Sequence, residues 1–310
     1  MEIASRSKAV HRLAVVNAAA TVLLLVAGGL VTSKGAGLAV PDWPTTFGYN
    51  PFLYPWSLMV GNIFYEHSHR LIAAAIGLTT VALGIALWLK EPRRWVRLVG
   101  AAAVALVVAQ GVVGGLRVVL LEQTLAIVHA CMAQAFFALA VSLAVFTSDF
   151  WSAAPRRAAA DSGRLQRVAL ITTLLIYGQI VFGAVLRHSG DMLGLHLVFA
   201  ALVTVHVILL TARVLTRHGG ERELARAAVF LGALLFAQLA LGLGAYVAKF
   251  VVALAPALTL AFRTGHVVVG ALLLAASLVL TLKSFRLFSR RSASGFAVPA
   301  MTHGSEGASA

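Results

Sequence analysis

The stretch EHSHRLIAAAIGLTTVALGIALWL, residues 66–89, places an acid, two histidines and an arginine directly before an apolar run that is long enough to cross a lipid bilayer. Ionisable side chains at a bilayer boundary are costly, and where they occur they usually serve a function. The stretch therefore indicates a membrane protein, and it makes Glu66, His69 and Arg70 candidates for a functional site.

The composition of the whole chain is typical of an integral membrane protein. Of its 310 residues, 60% are hydrophobic and 12% are charged, and its mean hydropathy is +0.91. Cys131 is the single cysteine, so no disulfide can form within the chain. Eight windows are apolar enough to span a membrane, at residues 13–32, 69–89, 95–116, 124–146, 167–187, 193–215, 227–248 and 260–282.

Lysine and arginine set the predicted orientation. Nineteen of the 25 basic residues lie before the first span, after the last, or in the segments that follow the second, fourth and sixth spans. Because basic residues favour cytoplasmic segments, we expect both termini in the cytoplasm, and the net charge of +14 reflects topology rather than nucleic-acid binding. The other six basic residues fall at outer span ends or in outer loops: Lys34, Arg70, Arg117, Arg187, Lys249 and Arg263.

Four histidines recur in step with the spans, near the outer start of each even-numbered one: His69, His129, His196 and His266. The third, fifth and seventh spans each carry a glutamine before small residues, in QGVVGG (110–115), QIVFGA (179–184) and QLALGLGA (238–245). The pattern predicts an all-α membrane protein with eight transmembrane helices in two pseudo-symmetric four-helix bundles. We expect an N-terminal bundle over residues 1–150, a C-terminal bundle over 151–290 and a disordered tail over 291–310.

These histidines are suited to heme ligation. Two imidazoles that face each other inside a four-helix bundle can be the axial ligands of a heme iron. The spacing gives one pair, His69 and His129, in the first bundle and another, His196 and His266, in the second. Zinc or copper ligation and purely structural histidines are the alternatives.

The outer acid and arginines fit the same interpretation. Glu66 precedes His69 by three residues, so both lie on one helix face. Its carboxylate could take up a proton or stabilise positive charge at a substrate carbon, and the alternative is an exposed acid paired with Arg70. Candidates for pairing with heme carboxylates are Arg70, Arg117, Arg187 and Arg263. Contact with lipid headgroups is the alternative for these arginines.

The sequence resembles the heme A synthase family, membrane enzymes that convert heme O to heme A for cytochrome oxidase. The resemblance rests on GGLVTSKGAGLAVPDWP (28–44), EHSHRL (66–71), HACMAQ (129–134), LHLVFA (195–200) and RTGHVVVGALL (263–273). It implies that His196 and His266 hold a heme b and that His69 and His129 hold the substrate heme O. It also implies that Glu66 is catalytic in oxidising the C8 methyl group of heme O to a formyl group.

The sequence departs from one branch of that family, which carries a cysteine pair around the PDWP motif of the first outer loop. Here Val40 precedes the motif and Thr46 follows it. We therefore expect the loop, residues 33–62, to form an ordered cap that is held by packing alone.

The resemblance also implies a location and partners. We expect a multi-pass protein of the cell inner membrane, with its heme sites toward the periplasmic face. The expected partners are heme O, a heme O synthase, an electron donor and membrane lipid, with no nucleic acid, and a homo-oligomer is left open.

Two rival functions are a diheme b-type cytochrome that oxidises quinol and a heme-binding assembly factor or transporter without catalysis. A carboxylate over one heme favours an enzyme, and transporters typically carry midplane charges, which these spans lack.

Overall fold

The computed structural model describes residues 8–154, 157–159 and 161–289. Over this part of the chain, eight helices are long and apolar enough to cross a membrane. They are α1 (Lys8–Ser33), α2 (Gly61–Lys90), α3 (Arg94–Val119), α4 (Gln123–Phe146), α6 (Ser162–His188), α7 (Leu193–Arg217), α8 (Arg222–Phe250) and α9 (Pro256–Leu287). The short elements are α5 (Asp149–Ala153), the 3-10 helices Pro51–Leu53 and Trp56–Leu58, and two parallel two-residue strands, β1 (Arg157–Ala158) and β2 (Phe288–Ser289). The predicted all-α, multi-pass membrane fold is confirmed.

The helices follow from the apolar runs and their breakers. Inside hydrocarbon, backbone N–H and C=O groups must be satisfied within the protein, so a long apolar run forms a helix. Helix α2 ends at Lys90, two residues before Pro92, and α9 begins at Pro256, where a missing N–H is tolerated. Helix α2 begins at Gly61 rather than at the predicted residue 69, because hydropathy marks only the hydrocarbon crossing. The two extra turns bring Glu66 into the helix.

The eight long helices form two closed rings of four. In the N-terminal ring, α1, α2, α3 and α4 pack in sequence and α4 returns to α1, so α2 and α4 lie diagonally across the ring. The C-terminal ring repeats this arrangement with α6, α7, α8 and α9, and places α7 and α9 on its diagonal. Contacts of α9 with α1 and α4, and of α4 with α6, join the two rings.

The domain bounds, the pseudo-symmetry of the two halves and the cytoplasmic position of the termini stay predictions. Residues 1–7 and the expected tail at 291–310 lie outside the described residues.

The apolar core is distributed unevenly between the rings. In the C-terminal ring, buried side chains such as Leu210, Leu231 and Leu280 belong to one large cluster. In the N-terminal ring, the corresponding cluster lies at the end where α1 and α3 begin, and it includes Ala14 and Leu87. The other end of this ring contains a cavity.

Candidate functional site

A cavity of about 740 Å³ lies at the end of the N-terminal ring where α2 and α4 begin. Its volume is within the range of small-molecule and cofactor sites. All four helices of the ring line it, together with residues of the loop before α2 and the end of α6. The lining gathers six residues that the sequence singled out: Glu66, His69, Arg70, Arg117, His129 and Arg187.

His69 and His129 reach this one cavity from α2 and α4, the helices on the diagonal of the ring. The Nδ1 atom of each ring is buried and has no hydrogen-bond partner within the described part of the chain. A buried polar atom without a partner costs free energy. Each imidazole therefore keeps one ring nitrogen without a partner beside the cavity that it lines.

His196 and His266 form a second pair, on α7 and α9. Their ring centroids lie 6.3 Å apart and the ring planes are inclined by 73°. Two metal–nitrogen bonds of about 2.0 Å, plus about 1.1 Å from each nitrogen to its ring centre, place the ring centroids of two axial imidazoles about 6.2 Å apart. This pair therefore fits a bis-histidine heme site. The His266 Nδ1 atom lies 3.2 Å from the Gln238 carbonyl oxygen, which favours Nδ1 as the N–H and Nε2 as the ligand atom.

A glutamine from the preceding helix supports three of the four histidines. Gln110 donates from Nε2 to the backbone carbonyl of His129 at 2.9 Å, and Gln179 does the same to His196 at 2.9 Å. The same amide nitrogens lie 3.3 Å from Nε2 of the two imidazoles. Gln238 differs in part: its amide nitrogen lies 3.4 Å from the ring of the α9 histidine, but it is its backbone carbonyl that contacts the ring Nδ1. These contacts fix the position of each histidine relative to the neighbouring helix.

A glycine four residues after each glutamine lets the ring approach the neighbouring helix. An ideal Cβ would lie 2.7 Å from His129 Cε1 at Gly114, 3.1 Å from His196 Cε1 at Gly183 and 2.8 Å from His266 Cε1 at Gly242. These distances are shorter than an ordinary carbon contact of about 3.5 Å, so a side chain at any of the three would push on the imidazole.

Helix α1 has the glycine of this glutamine–glycine pattern but not the glutamine. Gly28 is its glycine, and an ideal Cβ there would lie 3.1 Å from His69 Cε1. Four residues earlier the chain has Leu24 in place of a glutamine. His69 therefore has the close glycine but lacks the amide that supports the other three histidines.

Glu66 is buried in the wall of the cavity, with 3% of its surface exposed. Its Oε2 accepts a hydrogen bond from the Val40 amide at 2.9 Å, and its Oε1 accepts one from Arg70 Nη2 at 3.0 Å. The pairing with Arg70 is as the alternative predicted, but its expectation of an exposed acid is wrong. Each carboxylate oxygen has a further lone pair, so Glu66 can still accept a hydrogen bond from an occupant of the cavity.

Arg70 and Arg117 hold the outer loop over the cavity that they line. Arg70 donates to the carbonyl oxygens of Asp42 at 2.7 Å, Val40 at 2.9 Å and Thr45 at 3.1 Å. Arg117 donates to the carbonyl oxygen of Gly37 at 2.5 Å. Both guanidinium groups thus anchor backbone, and their pairing with a heme carboxylate stays a prediction.

Arg187 joins the two rings at the same end of the molecule. Its Nη2 donates to the carbonyl oxygen of Gly29 at 2.9 Å and to Ser33 Oγ at 2.8 Å, and its Nη1 donates to the Arg263 carbonyl oxygen at 3.2 Å. Although Arg187 belongs to α6, it also lines the cavity of the N-terminal ring. A carboxylate-binding role for the side chain of Arg263 stays a prediction.

Asp42 organises the tip of the outer loop. Its carboxylate accepts hydrogen bonds from the Thr45 hydroxyl at 2.5 Å and from the amides of Phe47 and Gly48 at 2.7 and 2.8 Å. Burial alone would raise the pKa of Asp42, but the hydrogen bonds outweigh it and lower the pKa to about 2. The loop is therefore tied by charge-assisted hydrogen bonds, and the expectation of packing alone is wrong.

Two side chains that sequence reasoning passed over also fix this loop. His67 is buried, its Nδ1 lies 3.1 Å from Thr46 Oγ1, and its ring centroid lies 5.0 Å from that of Tyr54. Trp43 lies against Gly115 so closely that a side chain at this glycine would clash with the indole. His188 and Gln134 of the cavity wall were missed as well. The regular four-residue spacing from glutamine to glycine was the signal in the sequence that could have singled out Gly114, Gly183 and Gly242.

Comparisons with known proteins identify a family for the chain. The model of the family COX15-CtaA, described as cytochrome oxidase assembly protein, matches residues 11–196. The matched segment contains Glu66, His69, His129 and His196. A protein of Shouchella clausii (strain KSM-K16) named heme A synthase is 26% identical over 189 residues, which cover 60% of this chain. The match spans 62% of that relative's length.

Proposed function

Because the chain belongs to the cytochrome oxidase assembly protein family, we propose that it is a heme A synthase, which oxidises the C8 methyl group of heme O to a formyl group. The observation that carries the proposal is the cavity in which Glu66, a buried carboxylate, shares the wall with His69 and His129. In this proposal the two histidines bind the substrate, heme O, and Glu66 acts on the substituent that reacts.

The reaction sets what the site must do. Conversion of a methyl group to a formyl group is a four-electron oxidation, and with water as the oxygen source it is R–CH₃ + H₂O → R–CHO + 4 H⁺ + 4 e⁻. A carboxylate at the reacting carbon can take up a proton and can stabilise positive charge that develops there. The contacts of Glu66 with Arg70 and with the Val40 amide hold its carboxylate in one position for this task.

The arginines of the cavity support one orientation of the substrate. Heme O carries two propionate carboxylates at one edge, and its C8 methyl group is the neighbour of a propionate-bearing position. Arg70, Arg117 and Arg187 lie at the outer end of the cavity, together with Glu66. Carboxylates held by these guanidinium groups would place the C8 methyl group at the end where Glu66 lies.

The second histidine pair has a different role in the proposal. We assign His196 and His266 to a resident heme b, since their separation already fits axial ligation. A heme bound there supplies one-electron transfer at its iron. Gln179 and Gln238, with the glycines that follow them, hold the two imidazoles for this purpose.

A diheme cytochrome that oxidises quinol is the rival function. Such a protein needs two heme sites but no carboxylate in the wall of one of them. The burial of Glu66 at the cavity favours the enzyme. We further propose that the protein works in the cell inner membrane, with this end toward the periplasm, alongside a heme O synthase and an electron-transfer partner.

Replacement of Glu66 tests the proposal. Glu66→Gln keeps the shape of the side chain but removes the group that takes up a proton. We expect heme A formation to fall by about 100-fold or more, with heme O retained and the b-type absorbance of the purified protein unchanged. Glu91→Gln is the matched control, because Glu91 is a buried acid paired with Arg93 at 2.6 Å just beyond the opposite end of α2. Wild-type heme A content in the Glu66→Gln protein would remove Glu66 from the reaction.

A further inference from the structure

The cavity extends well below the histidines. Its lining covers about eleven residues on each helix of the N-terminal ring, which corresponds to about 16 Å along the helix axes. The lining segments are 21–32, 66–77, 107–118 and 126–136. The site is therefore elongated along the ring, with an outer end near Glu66 and an inner end near Gly77.

The two ends differ in polarity. The charged lining residues of the four helices, Glu66, Arg70 and Arg117, all lie at the outer end, where Arg187 of α6 joins them. The inner end is lined mainly by apolar side chains and glycine: Leu24, Ala73, Gly77, Val107 and Ala133. An occupant with carboxylates at one edge and a hydrocarbon chain at the other would match this gradient.

Two glutamines of the cavity wall have a buried side-chain oxygen without a hydrogen-bond partner in the described residues: Gln110, whose amide nitrogen donates to the His129 carbonyl oxygen, and Gln134. Gln134 lines the cavity with 5% of its surface exposed, and its Oε1 has no hydrogen-bond partner within the described part of the chain. Thr21, at the inner end of the α1 lining, is satisfied, because its hydroxyl donates to the Asn17 carbonyl oxygen at 2.8 Å. An unpaired amide in an apolar environment costs free energy, so Gln134 is placed to bind a polar group of the occupant.

The position of Gln134 along α4 places it near the far edge of a heme that is bound at His129. Gln134 lies five residues beyond His129, about 7.5 Å deeper in the ring. In heme O, the edge opposite the propionates carries a hydroxyethylfarnesyl group, with a hydroxyl on the carbon attached to the ring. A hydroxyl can donate to an amide oxygen and accept from an amide nitrogen.

We infer that Gln134 recognises the hydroxyl group of the hydroxyethylfarnesyl substituent and that the apolar inner end of the cavity takes the isoprenoid tail. This inference rests on the proposed function, since it assumes that heme O occupies the cavity. It makes Gln134 a residue that distinguishes heme O from heme B, which has a vinyl group in place of this substituent, alongside the apolar inner end that takes the tail. A site that hydrogen-bonds a hydroxyl group rejects analogues that lack it.

The test compares the binding of two hemes to three proteins. The full-length protein is purified from a host without heme O synthase, so that only its resident heme is present, and is titrated with heme O or heme B while absorbance is followed. Gln134→Leu is the test variant. Gln166→Leu is the matched control, because Gln166 is also buried with an unpartnered Oε1 but lies in the C-terminal ring, where its Nε2 donates to the Phe288 carbonyl oxygen at 3.1 Å.

We expect the wild type and Gln166→Leu to bind heme O more tightly than heme B. In Gln134→Leu the Kd for heme O should rise by about 5- to 150-fold, while the Kd for heme B stays unchanged. An unchanged Kd for heme O, as when a water molecule is the partner of Gln134, would overturn the inference. An equal loss for both hemes would assign Gln134 a structural role and would overturn it too. A wild-type protein that binds neither heme would instead contradict the proposed function itself.

Discussion

Replacement of Gly114 by alanine tests the packing of a histidine at the cavity. The added Cβ would lie 2.7 Å from His129 Cε1 and 3.1 Å from its Nδ1, so the ring must move by about 0.8 Å to reach an ordinary carbon contact of about 3.5 Å. Without a ligand, the ring can turn into the cavity at little cost. A ligand on His129 holds the ring in place, so the strain appears on binding.

The expected cost follows from this displacement. Overpacking of a close contact costs about 1–3 kcal/mol, which corresponds to about a 5- to 150-fold higher Kd for heme O. Alanine is favoured over glycine inside a helix by about 0.5–1 kcal/mol, so the folded protein without substrate should be as stable as the wild type or slightly more so.

Gly111→Ala is the matched control for this measurement. Gly111 lies one turn earlier on α3 and lines the same cavity, but a Cβ there would meet nothing within 4 Å. The assay is absorbance titration with heme O, together with thermal unfolding in detergent. Equal heme O affinity in Gly114→Ala and Gly111→Ala would refute the argument that the glycine positions His129.

Two other perturbations test the outer end of the molecule. The carboxylate of Asp42 has a folded pKa of about 2, below its ordinary value of 3.8, so its stabilisation of the loop should be complete above about pH 4 and lost as the pH falls toward 2. Hydrogen-exchange protection of the Phe47 and Gly48 amides should drop over the same interval. Protection that stays constant with pH would contradict this prediction. Arg187→Ala should lower the free energy of unfolding by about 2–3 kcal/mol even without heme, because three acceptors from two helices lose a charged donor. Lys249→Ala is the control. An unchanged melting temperature of the heme-free Arg187→Ala protein would limit Arg187 to a role in ligand binding.

The sequence predicted the helices well because hydropathy reports directly on burial in hydrocarbon. All eight spans are present, and the four histidines lie on the helices to which they were assigned. The start of α2 was missed because residues 61–68 are polar and aromatic, although they continue the helix. Glu66 is buried because it belongs to that extension of the helix. The sequence alone could therefore not decide whether Glu66 is buried or exposed.

The polar network of the outer loop could not be predicted, because it depends on tertiary contacts. Arg70 donates to carbonyl oxygens up to 30 residues away in the chain, and no local sequence pattern predicts a hydrogen bond over that separation. Lacking a cysteine pair, the loop is expected from the sequence to rely on packing, whereas in the structure Asp42, Arg70 and His67 anchor it. The Arg187 contact that joins the rings is likewise tertiary, because its side chain on α6 reaches acceptors on α9 and α1.

The motif QLALGLGA predicts close helix packing but does not show which of its two glycines contacts a histidine. It contains two glycines, Gly242 and Gly244, and small residues there predict close helix approach. In the structure Gly242 lies against His266, whereas Gly244 faces Phe262. Only comparison with the four-residue spacing in the other two motifs separates a glycine that serves a ligand from one that serves packing.

Extraction of the bound tetrapyrroles from the purified wild-type protein, followed by chromatography, tests the central claim most directly. If the cavity beside Glu66 binds heme O as a substrate and the His196–His266 pair holds a resident heme, the extract should contain heme B together with heme O or heme A. An extract with heme B alone, at two hemes per chain and from cells that make heme O, would contradict the synthase and favour a diheme cytochrome.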